Sequence, residues 1–143
     1  MVNAVELDPS WLIESYESCR FMGHKEETGE KCTFRIPSAP GRHRSPEEYE
    51  DTELSEQLDT YSTNHVLYGI LTGKAPWNDL PSSQVKRAAK KGLKPPIDDA
   101  FRIPGTPEAV LASLIEQAYE HDPEVRITAP AIMRELEKAL EEL

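Results

Sequence analysis

Cysteine and histidine side chains are the first candidates for chemistry, because both ligate metals and both serve in nucleophilic catalysis. The sequence contains two cysteines, Cys19 and Cys32, and no histidine or cysteine stands at a metal-ligand spacing from either. The histidines, His24, His43, His65 and His121, are scattered without a common spacing. We therefore predict two free thiols, no metal site and no catalytic triad.

Basic side chains gather in the segment PSSQVKRAAKKG, which is predicted to be helical from Ser82 to Lys91 and to end at Gly92. Their spacing of i, i+1, i+4, i+5 and i+8 places them on one helix face. The cluster comprises Lys86, Arg87, Lys90, Lys91 and Lys94. Such a face suits an acidic peptide or partner segment, although an ordinary solvated helix face has the same pattern.

The elements that position these residues must fit in 143 residues and 16.1 kDa, which predicts one domain over residues 1–143. Acidic residues outnumber basic ones 26 to 16, and the net charge of −10 argues against general nucleic-acid or anionic-membrane binding. The longest apolar run, 66–71, is far shorter than the ~20 residues of a membrane helix. MVNAVELDPS is unlike a secretory signal, so we expect a cytoplasmic or nuclear setting.

Hydrophobic periodicity predicts a mainly α fold with short strands and loops at the N-terminus. WLIESYES and KCTFRIP are the predicted strands. Helices are predicted over 55–72, with Ser55 as N-cap, from Thr106 and Pro107 onward, and from about Thr128. The second half of the 55–72 helix is apolar nearly all round, which predicts burial. The last helix has an apolar stripe of Ile132, Met133, Leu136 and Leu140.

Read in order, these segments resemble the C-terminal, helical lobe of a protein kinase from about Cys32 to Leu143. RSPEEY at 44–49 is similar to the Ala-Pro-Glu element that closes the activation segment, with Ser45 in place of Ala. DTYSTNHVLYGILTGKAPW at 59–77 resembles the central helix and its exit turn, with Asn64 where the family has Gly. The segment after Pro81 is placed like the docking helix, and LIEQAYEHDPEVRIT and APAIMRELEKAL resemble the last two helices.

The resemblance implies that Glu47 and Arg126 meet as a buried ion pair joining the activation segment to the helical base. A lone buried charge is heavily penalised, so such residues persist inside a protein when each satisfies the other. Two unrelated surface charges are the alternative.

The resemblance also implies roles for three further residues. Asp59 corresponds to the residue that accepts backbone N–H groups from the catalytic loop; alternatively, it is an acid placed at the positive end of a helix dipole. Thr33 and Ser38 fall in the activation segment, where a phosphate on either would pair with nearby arginines, although hydroxyls are common in polar loops.

The motifs that bind and position ATP are absent from these 143 residues, which contain no G-x-G-x-x-G, V-A-I-K, H-R-D or D-F-G. Residues 1–50 resemble a remnant of the catalytic and activation segments, and residues 51–143 resemble a helical subdomain. No catalytic residue is therefore assigned, and ATP and magnesium are expected in the intact family rather than in this chain.

Two hypotheses follow from the absence of these motifs. The chain is a portion of a kinase domain whose intact form phosphorylates Ser, Thr or Tyr, inactive alone. Alternatively, it is a pseudokinase-like scaffold that binds a protein or peptide. A third possibility is a truncated gene product with no function of its own. In each case we expect self-association through surface left by the missing lobe, around Trp11 and Phe21.

Overall fold

A computed structural model of the protein describes residues 19–20, 22–36 and 41–142, and this part of the chain is mainly α-helical, as predicted. Its helices in chain order are α1 (Pro46–Glu50), α2 (Gln57–Thr72), α3 (Ser82–Lys90), a 3-10 helix (Asp99–Arg102), α4 (Pro107–Ala118) and α5 (Ala129–Glu141). No helix in the described part is long and apolar enough to cross a bilayer.

The hydrophobic core lies between α2 and α4, because these helices face each other with their largest buried side chains. Tyr61 and Tyr68 of α2 pack in one cluster with Ile115 of α4 and with Tyr119, which follows α4. The rings of Tyr61 and Tyr119 meet edge to face, with their centroids 5.2 Å apart. This packing holds α2 against α4 and against the residues that follow α4.

Local capping chemistry explains the start of α4 and the end of α2. Thr106 caps α4 by accepting a hydrogen bond from the Ala109 N–H at 3.3 Å, and Pro107 occupies the first turn. Gly73 ends α2 at a left-handed φ of 69°. The predicted start of α2 was two residues early, because the Ser55 hydroxyl accepts from the Gln57 N–H in the turn before the helix.

The prediction that the second half of α2 is buried was wrong. Val66 and Ile70 are 58% and 69% exposed, whereas Tyr68 and Leu71 are buried. An apolar surface is buried only where another element covers it. The described residues cover α2 on the side of α4 and leave the side of Val66 and Ile70 open.

The predicted inner stripe of α5 was wrong in part. Met133 and Leu140 are exposed, and Ile132 and Leu136 are only half-buried. The helix packs against α4, and the half-burial of Ile132 and Leu136 agrees with the predicted phase of the stripe but not with its full burial. Helical spacing identifies an apolar face without stating how much of it a neighbour covers.

The described residues of KCTFRIP, 31–36, do not form a strand. Lys31 and Phe34 take part in isolated antiparallel bridges, with His24 and Leu54 respectively. Too few consecutive residues pair for a sheet to form. The other predicted strand, WLIESYES, lies outside the described residues, as do Trp11 and Phe21.

Candidate functional site

The segment S-P-E-E folds into α1, which positions the first charged group of the site. Glu48 is 4% exposed, and its Oε2 accepts hydrogen bonds from the Ser45 N–H at 2.8 Å and the Ser45 hydroxyl at 3.0 Å. Arg44 donates to Glu48 Oε1 at 3.0 Å. Sequence analysis missed this buried carboxylate, although the Ser-x-x-Glu spacing of a capping box was available to indicate it.

Glu47 and Arg126 form a bidentate ion pair. Arg126 Nη1 donates to Glu47 Oε1 at 2.7 Å, and Nη2 donates to Glu47 Oε2 at 3.0 Å. The two side chains are 7% and 0% exposed, so water screens the pair very little. The structure therefore brings together two residues that are 79 positions apart in the chain.

Arg126 also joins the surrounding loops, because its remaining N–H groups point at backbone carbonyls. Nη1 donates to Gln57 O at 2.7 Å, and Nε donates to Glu120 O at 2.9 Å. The guanidinium carbon lies 5.0 Å from the ring centroid of Tyr61. One side chain thus connects α1, the start of α2 and the turn between α4 and α5.

Asp59 lies on the first turn of α2, where the walls of two cavities meet. Partial burial, followed by the nearby carboxylate of Glu48, raises the pKa of Asp59 above its usual range. Within the described part of the chain, its carboxylate has no hydrogen-bond donor. The segment in which sequence analysis placed a remnant catalytic loop lies outside the described residues, so the anchoring role of Asp59 stays a prediction.

Of the two candidate phosphorylation sites, Thr33 lies among the residues that the structure describes. Thr33 is exposed, and its hydroxyl donates to Glu53 Oε2 at 2.6 Å. Arg35 also binds Glu53, with Nε donating to Oε1 at 2.7 Å. Ser38 lies outside the described residues. At Thr33, a phosphate would meet one arginine and one carboxylate, so Arg35 would have to exchange Glu53 for the phosphate.

The basic side chains around α3 do not form one free face, which corrects the prediction in part. Lys94 lies beyond the helix and donates to Glu116 O and Glu120 Oε2 at 2.9 and 3.0 Å. Lys86 lies over the ring of Tyr49, 5.3 Å from its centroid. The helix ends at Lys90, so the later positions of the spacing no longer follow helical geometry. All five residues are exposed, and Arg87, Lys90 and Lys91 are those without a side-chain partner among the described residues; we call these three the exposed basic group.

A ring cluster next to the ion pair also went unnoticed in the sequence. His65 lies 5.0 Å from His43 and 5.4 Å from Tyr119, measured between ring centroids. Its Nδ1 is within hydrogen-bond distance of the carbonyls of Tyr61 and Ser62. Burial, with a smaller effect of His43, lowers the pKa of His65 to about 4, so the ring is neutral at pH 7.

Cys19 and Cys32 are free thiols. Across residues 19–20, 22–36 and 41–142, no three His, Cys, Asp or Glu side chains converge as metal ligands.

Comparison with known proteins agrees with the geometry. The sequence model of the family described as "Protein tyrosine and serine/threonine kinase" matches residues 21–136. Serine/threonine-protein kinase STY46 of Arabidopsis thaliana is 30% identical over 103 residues, which cover 71% of this chain and 17% of that protein. Probable serine/threonine-protein kinase gdt4 of Dictyostelium discoideum is 24% identical over 129 residues, 90% of this chain and 7% of that protein. The chain thus spans less than a fifth of either relative. With α1 tied to the helical base through Glu47 and Arg126, these matches show that the chain belongs to the protein tyrosine and serine/threonine kinase family.

Proposed function

We propose that these 143 residues are the activation-segment end and helical base of a protein kinase domain. The intact domain would transfer the γ-phosphate of ATP to a protein hydroxyl. The buried bidentate pair of Glu47 and Arg126 carries the proposal, because it fastens α1 to the helical base as the resemblance requires. One relative is named as a serine/threonine-protein kinase and the other as a probable one, which favours Ser or Thr over Tyr as the acceptor.

These residues by themselves would not transfer phosphate. Phosphoryl transfer depends on a phosphate-covering loop, a lysine, a catalytic aspartate and magnesium ligands, and none of the corresponding motifs stands in this sequence. ATP and magnesium would bind in a longer product that supplies those motifs. Asp59 would then accept backbone N–H groups from the catalytic loop, which would lower its pKa again.

The test begins with the transcript and the reading frame upstream. If upstream sequence encodes the missing motifs, the longer product should phosphorylate a Ser/Thr substrate such as casein, and the 143-residue chain should not. A Glu47→Gln variant of the longer product should lose activity, because the activation segment loses its attachment. A longer product that carries the motifs and is inactive would contradict the proposal.

The 143-residue chain also permits a direct nucleotide test. We expect no change of melting temperature when magnesium and ATP are added. A saturable rise would show that these residues bind nucleotide, and would refute the claim that they are inactive alone.

A non-catalytic scaffold is the second candidate, and the exposed basic group Arg87, Lys90 and Lys91 favours it. On a chain of net charge −10, this group would attract an acidic segment. A fluorescent poly-glutamate peptide should bind the chain, and the Arg87→Glu, Lys90→Glu double variant should abolish binding. A Lys25→Glu, Lys74→Glu variant makes the same charge change elsewhere and should leave binding intact. Equal effects of the two variants would exclude this docking face.

The proposed setting is the cytoplasm or nucleus, which the free thiols of Cys19 and Cys32 support, because thiols persist in reducing compartments. Self-association through surface that another lobe would cover is also proposed. Sedimentation of the 143-residue chain over a range of concentrations tests it, and a monomer throughout would contradict it.

A further inference from the structure

A cavity of about 680 Å³ lies at the C-terminal end of α2, between the loop that follows this helix and the segment that leads into the 3-10 helix. We call it the end cavity. Its first wall residue, Tyr68, lies about 14 Å along α2 from Asp59 at 1.5 Å per residue. The end cavity is thus at the opposite end of α2 from the residue that the proposed function joins to the missing catalytic loop.

Hydrogen bonds between distant parts of the chain hold both walls of the end cavity in place. One wall is the loop that contains Trp77, and Arg42 reaches this loop from the segment before α1. Arg42 Nη2 donates to Trp77 O at 2.6 Å and to Leu80 O at 3.1 Å. On the other wall, the Tyr68 hydroxyl donates to Pro96 O at 2.8 Å. The end cavity is therefore preformed, as ligand sites usually are.

Three aromatic side chains, those of Tyr68, Trp77 and Phe101, line the end cavity. Tyr68 belongs to the core cluster and Phe101 packs against it, whereas Trp77 is half-buried in its loop. Trp77 also has a left-handed φ of 57°, which bulky side chains rarely adopt and which is concentrated at ligand-binding sites. An aromatic lining with few polar groups is typical of a site that binds a ligand or a side chain.

The charged groups on the walls are the carboxylates of Asp79 and Asp98 and the ammonium of Lys74. Asp98 uses one oxygen to cap the 3-10 helix, because its Oδ1 accepts a hydrogen bond from the Ala100 N–H at 2.9 Å, and its other oxygen remains for a ligand. Two carboxylates against one ammonium leave the walls with a net charge of −1, in a chain whose net charge is −10. A cationic occupant is therefore favoured over an anionic one.

We propose that the end cavity binds an arginine side chain of a partner polypeptide. A guanidinium is planar, so it stacks on aromatic rings while its N–H groups donate to carboxylates. The walls offer both kinds of partner, in the rings of Trp77 and Phe101 and in the carboxylates of Asp79 and Asp98. Lysine fits less well, because its ammonium is a strongly hydrated point charge. The inference does not depend on the proposed function.

The fluorescence of Trp77 reports binding directly, because this residue lines the end cavity. The other tryptophan of the chain is Trp11, and a Trp11→Phe background removes its emission. The whole chain in this background is titrated with the end-blocked peptide Gly-Gly-Arg-Gly-Gly and with versions that carry lysine, citrulline or glutamate in place of arginine. Citrulline has the shape of arginine without its charge. We expect a saturable change of Trp77 emission with the arginine peptide, and binding at least about tenfold tighter than that of the other peptides.

Two matched double variants locate the binding. The Asp79→Asn, Asp98→Asn variant removes both carboxylates of the end cavity and should weaken binding of the arginine peptide by about tenfold or more. The amide oxygen at position 98 can still cap the 3-10 helix, so the wall should keep its shape. The control is Asp51→Asn, Asp122→Asn, which removes two exposed carboxylates that do not line the cavity. Asp122 caps a turn in the same way, by accepting from the Glu124 N–H at 3.0 Å, so the control should change binding little.

The Lys74→Gln variant tests the sign of the charge in the occupant. Loss of the ammonium should tighten binding of the arginine peptide, whereas it would weaken binding of an anion. Circular dichroism verifies that each variant is folded. Four results would overturn the proposal: no saturable change of emission with the arginine peptide, equal binding of the citrulline or lysine peptide, equal effects of the two double variants, and weaker binding of the arginine peptide by Lys74→Gln.

Discussion

Replacing Arg126 by alanine should be among the most damaging single changes in the chain. The substitution leaves the Glu47 carboxylate buried without its cation, and it removes the donors that reach Gln57 O and Glu120 O. Breaking a buried ion pair by removing one partner costs about 3 to 5 kcal/mol. Domains of this size have a total stability of roughly 5 to 15 kcal/mol, so Arg126→Ala should remove a large share of the free energy of unfolding.

Urea unfolding followed by far-UV circular dichroism measures the free energy of unfolding directly. The matched control is Arg102→Ala, since Arg102 Nη2 lies 2.6 Å from Glu116 Oε1, yet the side chains are 38% and 40% exposed. Exposed pairs contribute about 0 to 1 kcal/mol, so this control should change stability little. Both substitutions remove an arginine from a short ion pair, so the difference between them measures burial together with the backbone hydrogen bonds that Arg126 alone makes.

A double variant separates the charge from the packing. Glu47→Leu combined with Arg126→Met replaces the pair with apolar groups and should be less destabilising than Arg126→Ala alone, because no uncompensated charge stays buried. If Arg126→Ala costs no more than Arg102→Ala, the pair does not connect α1 to the helical base, and the reasoning built on it fails.

Three other predictions concern single positions. The pKa of His65 is about 4 in the folded chain and about 6.5 in the unfolded chain. The free energy of unfolding therefore has its full value above pH 6.5 and should fall by about 3 kcal/mol as the pH drops to 4, because the unfolded chain takes up a proton on this ring first. Urea unfolding at several pH values should show a flatter profile for His65→Gln than for the exposed control His24→Gln, and equal slopes would contradict this. Gly73→Ala should destabilise by about 1 kcal/mol because of its left-handed φ, although no atom lies within 4 Å of the added carbon. Gly69→Ala, inside the same helix, should stabilise the protein by about 1 kcal/mol. Melting temperatures of the Gly69→Ala and Gly73→Ala variants that shift in the same direction would refute the argument. Asn64→Ala should lower the free energy of unfolding in urea by no more than about 1 kcal/mol, because it removes the unpartnered Oδ1 along with the hydrogen bond to Ile115 O. A larger decrease would show that both polar atoms of the amide are hydrogen-bonded.

Local patterns in the sequence were sufficient for α2, α3, α4 and α5, whereas α1 and the 3-10 helix were not predicted. The Thr106 cap, the proline after it and the glycine after α2 act within one turn of chain, so their spacing predicts where α4 begins and where α2 ends. The order of motifs also indicated the family, because short runs such as RSPEEY retain their residue types.

Burial and partner choice depended on the tertiary structure. Val66, Ile70 and Met133 have the residue types of a core, yet they are exposed, because burial requires a neighbour that periodicity does not specify. Lys94 belongs to the basic spacing, but its ammonium binds Glu120, on an element that only folding brings near.

The sequence by itself therefore determined the four longer helices, the family and which residues carry charge. The tertiary structure decided which charges meet and which apolar faces are covered. The physical reason is distance along the chain: caps and helix periods act over a few residues, whereas packing and ion pairing join residues as far apart as Glu47 and Arg126.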